Sequence, residues 1–157
     1  VPVGLGAMAA LLGLNFKQAI EVAKEAQGNN LGQVCTAAND NADGQVVVSG
    51  HAEAVERAIA IAGTKGAKRA VKLPVSAPFH CPLMQPAAEA MRAALASVQM
   101  NTPVVPLVAN VTASATSDVE TIRRQLVEQV CGTVRWRESV LFMKAHGVTE
   151  LVEIGAG

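Results

Sequence analysis

Aromatic side chains are scarce in this chain, which has three phenylalanines, one tryptophan and no tyrosine in 157 residues. Half of the residues are nevertheless hydrophobic, so a core must be assembled from Ala, Val, Leu, Ile and Met, as in tightly packed soluble α/β proteins. Charge of one sign is also lacking. Thirteen Lys plus Arg balance thirteen Asp plus Glu, and no segment gathers enough basic side chains to follow a phosphate backbone, so nucleic acid is not an expected partner. Long apolar runs are missing as well. The longest, residues 7–14, falls well short of the roughly 20 residues that cross a bilayer. The start of the chain shows neither the charged region nor the cleavage site of a signal peptide. The expectation is a cytoplasmic protein without a membrane partner. Cysteine is limited to Cys35, Cys81 and Cys131. Their odd number and wide spacing predict reduced thiols, with no disulfide and no zinc.

What is present orders the first half of the chain. Residues 8–14 form a short apolar run, and Phe16, Ala19, Ile20 and Ala23 then recur at helical spacing until Gly28, which predicts a strand followed by a helix. Residues 34–39 read as a strand entering the turn signal 39–44, and the β-branched residues 45–49 return as its hairpin partner. Ala54, Val55, Ala58, Ile59 and Ala62 mark a second amphipathic helix, after which Val71, Leu73 and Val75 alternate with Ala70 and Lys72. The order β-α-β-β-α-β is that of a ferredoxin-like unit. We place this small subdomain at residues 4–75 and a second, partial subdomain at 76–157.

The second half changes character. Ala88, Met91, Leu95 and Val98 line a helix face, residues 104–111 read as a strand interrupted by Pro106, and residues 112–117 read as a polar loop before a cap at Asp118. Val119, Ile122, Leu126 and Val130 carry the next helix to Gly132; Trp136, Val140 and Met143 carry another to Gly147; residues 151–154 read as an apolar strand. Two strands do not make a stable sheet. The expectation is therefore an internal piece of a longer protein.

The segment with most chemical content is Val75-Ser76-Ala77-Pro78-Phe79-His80-Cys81-Pro82-Leu83-Met84. Two prolines flank a titratable imidazole, restricting the backbone and removing amide donors. A histidine held in this way is suited to take and return a proton near neutral pH. The competing reading is an ordinary packed or surface histidine. No G-x-S-x-G pattern occurs in the 157 residues, so no serine elbow is present. Ser49-Gly50-His51 and Cys81 beside His80 imitate nucleophile and base pairs, but adjacent side chains diverge.

The runs Gly6-Ala7-Met8-Ala9-Ala10, Gln45-Val46-Val47-Val48-Ser49-Gly50-His51, the loop from Ser76 to Met84, Asn110-Val111, Val134-Arg135-Trp136 and Glu153-Ile154-Gly155 share their order with a known family. In order and spacing the chain resembles the middle and later part of malonyl-CoA:acyl carrier protein transacylases. The resemblance implies a large α/β-hydrolase-like subdomain interrupted by a ferredoxin-like one. It also implies malonyl transfer from CoA to the carrier's phosphopantetheine thiol through a serine ester, in fatty acid biosynthesis, without metal or cofactor. By the same match His80 is the general base. The backbone carbonyl of Gln129 orients its ring, where spacing alone suggests a solvated helix residue. Phe79 faces the acyl pocket and favours malonyl over a branched acyl group, or is a core aromatic. Asn110 contacts the His loop or the pantetheine arm, or caps a turn, and Ser76 braces the loop.

The departures matter as much. The family's Gly-His-Ser-x-Gly nucleophile, its malonyl-binding arginine and its Gly-Gln-Gly-Ser segment have no match here, and Arg135 and Arg137 read as surface charge. The chain alone is expected to be inactive. The alternatives are a non-enzymatic ligand-binding ferredoxin-like module, or the acyltransferase domain of a polyketide or fatty acid synthase.

Overall fold

A computed structural model describes residues 4–28, 32–75 and 77–155; Ser76 lies outside them. The chain is an α/β protein, with two antiparallel sheets among the described residues. The larger contains β1 (Gly6–Leu12), β2 (Cys35–Ala42), β3 (Gln45–His51) and β4 (Arg69–Lys72), in the spatial order β2-β3-β1-β4. Helices α1 (Phe16–Gln27) and α2 (Ala52–Thr64) connect its strands. Asn15 starts α1 through a capping box: its Oδ1 accepts the Gln18 N–H at 2.9 Å, and Gln18 Oε1 accepts the Asn15 N–H at 2.9 Å. Two orphan amides are thereby satisfied where the helix begins.

Period-two alternation along β1 divides its side chains between two faces. Ala7, Ala9 and Leu11 join Val22, Ala26, Val46, Val48, Val55 and Ala58 in the core beneath α1 and α2, while Met8 packs with Ala38 and Val47 on the opposite face. Small and β-branched side chains fill this core, as the scarcity of aromatics requires.

The expected turn at 39–44 is shorter than the Asn/Asp run suggests. Strand β2 continues to Ala42, because Asn39 pairs with Val47 and Asp40 with Val46, with register shifts at Ala37/Asn39 and Asp40/Ala42. Cross-strand pairing overrides the local preference of Asn and Asp for turns.

Beyond β4 come a 3-10 turn (Pro82–Met84), α3 (Gln85–Ala96), β5 (Leu107–Ala109), β6 (Ser114–Thr116), α4 (Val119–Cys131) and α5 (Trp136–Ala145). Strands β5 and β6 form a two-stranded ribbon, so the loop expected at 112–117 contains a strand and the strand expected at 104–111 keeps only Leu107–Ala109. Residues 151–154 are not a strand. Leu151, Val152 and Ile154 are exposed by 56%, 76% and 94%, and among the described residues no neighbouring strand accepts their backbone groups, without which extended chain does not become sheet. The halves are joined at the edge of β2, where the Val134 N–H donates to Ala38 O and the Asp40 N–H to Val134 O, each at 2.8 Å.

Candidate active site

Local contacts shape the loop that carries His80. After β4, the Leu73 N–H donates to Met8 O at 2.9 Å, which keeps the chain against β1. Pro78 is then buried on the Gly6 backbone. A Cβ at position 6 would lie 2.3 Å from Pro78 Cγ, so only glycine admits the proline. The Cys81 thiol donates to Pro78 O at 3.1 Å, and the Met84 N–H donates to Cys81 O at 3.0 Å. Between these anchors His80 adopts φ 58°, in the sparsely populated left-handed region that a non-glycine residue occupies only when its surroundings hold it there.

The partner of His80 comes from the end of α4. Asp118 opens this helix, its Oδ2 accepting the Thr121 N–H at 2.8 Å, and the Gly132 N–H closes it on Glu128 O at 2.8 Å. The last carbonyls of a helix lack intrahelical donors. That of Gln129 lies 3.0 Å from His80 Nδ1. A carbonyl only accepts, so Nδ1 carries the proton and the Nε2 lone pair remains free in the neutral ring. The Gln129 side chain turns back, Nε2 donating to Gly132 O at 2.9 Å. Gly132 has no room for more, since a Cβ there would come 2.8 Å from Val111 Cγ2 and 2.9 Å from Glu128 O.

Asn110 and Gln129 line one cavity of about 210 Å³, with Leu107, Ile122, Gln125 and Leu126 among its walls. Asn110 also accepts the Arg135 N–H on its backbone oxygen at 3.0 Å. Phe79 is 40% exposed, on the loop but outside the core. Of the five residues singled out in the sequence, His80 and Gln129 are brought into contact, Asn110 shares a cavity wall with Gln129, Phe79 stands beside His80 in the chain, and Ser76 lies outside the described residues.

The imitations resolve differently. His51 Nδ1 accepts the Val34 N–H at 2.8 Å, a structural bond that ties the start of α2 to the segment before β2. The three cysteines are free. Burial raises the Cys81 thiol above its ordinary pKa and pushes Cys35 up to about 12, so both are neutral, poor nucleophiles at pH 7.

Reading Arg137 as surface charge needs correction. Its Nε lies 3.0 Å from both Asp40 carboxylate oxygens and its Nη2 2.8 Å from Oδ2, while Asp40 is only 1% exposed. Arg135 pairs with Glu138 and donates from Nη1 to Thr112 O at 3.1 Å. The sequence carried no signal for the first pair, because Asp40 reads there as a turn residue and only its place in β2 buries its carboxylate and calls for a cation.

No protein-family model matches the chain. Individual proteins do. Over 157 residues it is 46% identical to a malonyl CoA-acyl carrier protein transacylase of Escherichia coli strain K12, covering 100% of this chain and 50% of that protein. The chain is a homologue of malonyl CoA-acyl carrier protein transacylases. It spans about half the length of the curated relatives it matches. The acyl-carrier-protein-S-malonyltransferase of Bartonella henselae superposes with a TM-score of 0.93 at 53% identity, over 100% of this chain and 49% of that one. A malonyl-transacylase solved in complex with a type II PKS acyl-carrier protein gives 0.94 at 42% identity, over 100% and 50%. Among the described residues no helix is long and apolar enough to cross a membrane.

Proposed function

We propose that this chain is the base-bearing part of an acyltransferase that moves a malonyl group from CoA to the phosphopantetheine thiol of acyl carrier protein, in fatty acid biosynthesis. The observation that carries this reading is the 3.0 Å contact between His80 Nδ1 and the Gln129 carbonyl. It fixes the tautomer that leaves Nε2 as a base. In the transfer, Nε2 takes the proton of a serine hydroxyl as its oxygen attacks the malonyl thioester carbonyl, and returns it to the departing CoA sulfur. The second half repeats the exchange with the carrier thiol as nucleophile and the serine oxygen as leaving group. We assign the serine to sequence outside these 157 residues, which contain no G-x-S-x-G pattern, and on that reading the chain alone performs no turnover.

The carbonyl carries less charge than a carboxylate, but the negative end of the α4 dipole adds to it, which favours the imidazolium formed during each step. Phe79 is assigned to the wall of the acyl pocket and Asn110 to the side of the site nearest Gln129. Residues 4–75 constitute a ferredoxin-like subdomain, which the strand order β2-β3-β1-β4 and the β-α-β-β-α-β sequence of elements support. Residues 76–157 constitute part of an α/β-hydrolase-like subdomain.

The test is His80→Ala in the full-length protein. Loss of the base should lower malonyl transfer by about 10²- to 10⁴-fold with the thermal unfolding transition retained. A variant that is folded and transfers at the normal rate removes His80 from the mechanism.

A further inference from the structure

The Gln129 carbonyl is useful only if it stays where the imidazole can meet it, and it sits at a helix end, where backbone frays most readily. What holds that end is the connection from α4 to α5. Its register is set by hydrogen bonds to backbone carbonyls on two sides. On the β2 side, Thr133 Oγ1 donates to Ala37 O at 2.9 Å, Val134 N–H to Ala38 O at 2.8 Å, and Asp40 N–H to Val134 O at 2.8 Å. On the β5 side, Arg135 donates from its N–H to Asn110 O at 3.0 Å and from Nη1 to Thr112 O at 3.1 Å. An ion pair then closes the assembly: Arg137, in the first turn of α5, grips both oxygens of Asp40.

The setting of Asp40 makes this pair specific. Its carboxylate is 1% exposed on a strand that register shifts distort at that point. Buried ion pairs contribute little net stability against apolar replacements, and their best-attested use is to specify one arrangement over others. Here the arrangement specified is the approach of α5 and the 132–136 connection to the edge of the sheet. A hydrogen bond of 3.0 Å is lost if its partner withdraws by much more than half an ångström, so a slack connection would release the His80 ring.

We infer that Asp40 and Arg137 are positioning residues, which act on the His80 imidazole through the α4–α5 connection and the Gln129 carbonyl. The inference rests on the reading of His80 as the base, but its first readout does not need that reading.

In the full-length protein, the ring nitrogens of His80 are followed by ¹⁵N NMR, with the resonances assigned by their loss in His80→Ala. The variants are Arg137→Met, which leaves Asp40 unpaired, and Asp40→Asn with Arg137→Gln, which leaves no buried charge and keeps the fold if the single variant loses it. The expected result is a shift of His80 from a single Nδ1–H tautomer toward a mixture. It should be accompanied by a fall in kcat of about tenfold with KM within about twofold. Arg137→Lys retains the charge without the two-point grip and should recover part of both effects. Unchanged ring signals in a folded variant overturn the inference, whatever the transfer rate. A tautomer shift with an unchanged rate keeps the positioning role and overturns instead the assignment of His80 as base.

Discussion

In residues 6–72, two helices lie on one sheet, and Leu11, Val22, Val46, Val48 and Val55 are all within 1% of complete burial. In residues 77–155 comparable side chains stay at the surface, with Val104 exposed by 101%, Val105 by 69% and Val152 by 76%. The apolar content is similar in kind, but the first region has a partner for every apolar face and the second does not. The difference shows which elements form without partners. Helices α3, α4 and α5 persist in the poorly buried region because their hydrogen bonds are internal. The Asp118 cap and ion pairs such as Arg124–Glu128 at 3.5 Å support them locally. Residues 151–154 fail as a strand because strand bonds must come from elsewhere.

The comparison is tested most strongly by truncating one side chain in each region. Leu11→Ala should cost about 2–5 kcal/mol by urea denaturation, through lost burial and a residual cavity. Val104→Ala should change stability by less than about 0.5 kcal/mol. Equal effects would mean that the regions do not differ in packing. Gly6→Ala probes where they touch: a methyl group 2.3 Å from Pro78 Cγ must displace the proline, at about 1–3 kcal/mol. The His80–Gln129 bond should weaken with it, visible as a changed His80 ring spectrum.

Alkaline titration gives a smaller effect confined to the well-packed region. Burial raises Cys35 from 9.0 to about 12, so the folded state favours the neutral thiol. That contribution is complete below pH 9 and is lost as pH rises toward 12, with a slope of up to about 1.4 kcal/mol per pH unit. Urea melts across that range should flatten in Cys35→Ala; an unchanged slope would assign the loss to other groups. The smallest change is expected at the start of α4. The hydrogen bond from Thr121 holds the Asp118 carboxyl below its usual range, so the cap is fully present above that range and is released only as pH falls below it. Asp118→Ala should speed amide exchange at residues 119–122 and leave the sheet unaffected.

The helical spacing of Phe16, Ala19, Ile20 and Ala23 with its stop at Gly28, and that of Ala54, Val55, Ala58 and Ala62, were legible because they depend on neighbours within a few residues. The motif order also brought out His80 as a residue held between prolines. Several features were not legible. Strand β2 runs through Asn39 and Asp40 against their turn preference, and β6 forms within a polar segment. Ser76, expected to brace the loop, lies outside the described residues.

The sequence by itself determined the helices, the β2–β3 hairpin, the proline-flanked histidine and the absence of a serine elbow, since each is written in short-range spacing and backbone restriction. The resemblance named the Gln129 carbonyl as the partner of His80, 49 positions away, but only the tertiary structure brings the two within 3.0 Å, and it alone decided that Asp40 meets an arginine 97 positions away. Such contacts depend on which helix end reaches which strand edge, and that is settled by packing the apolar faces together.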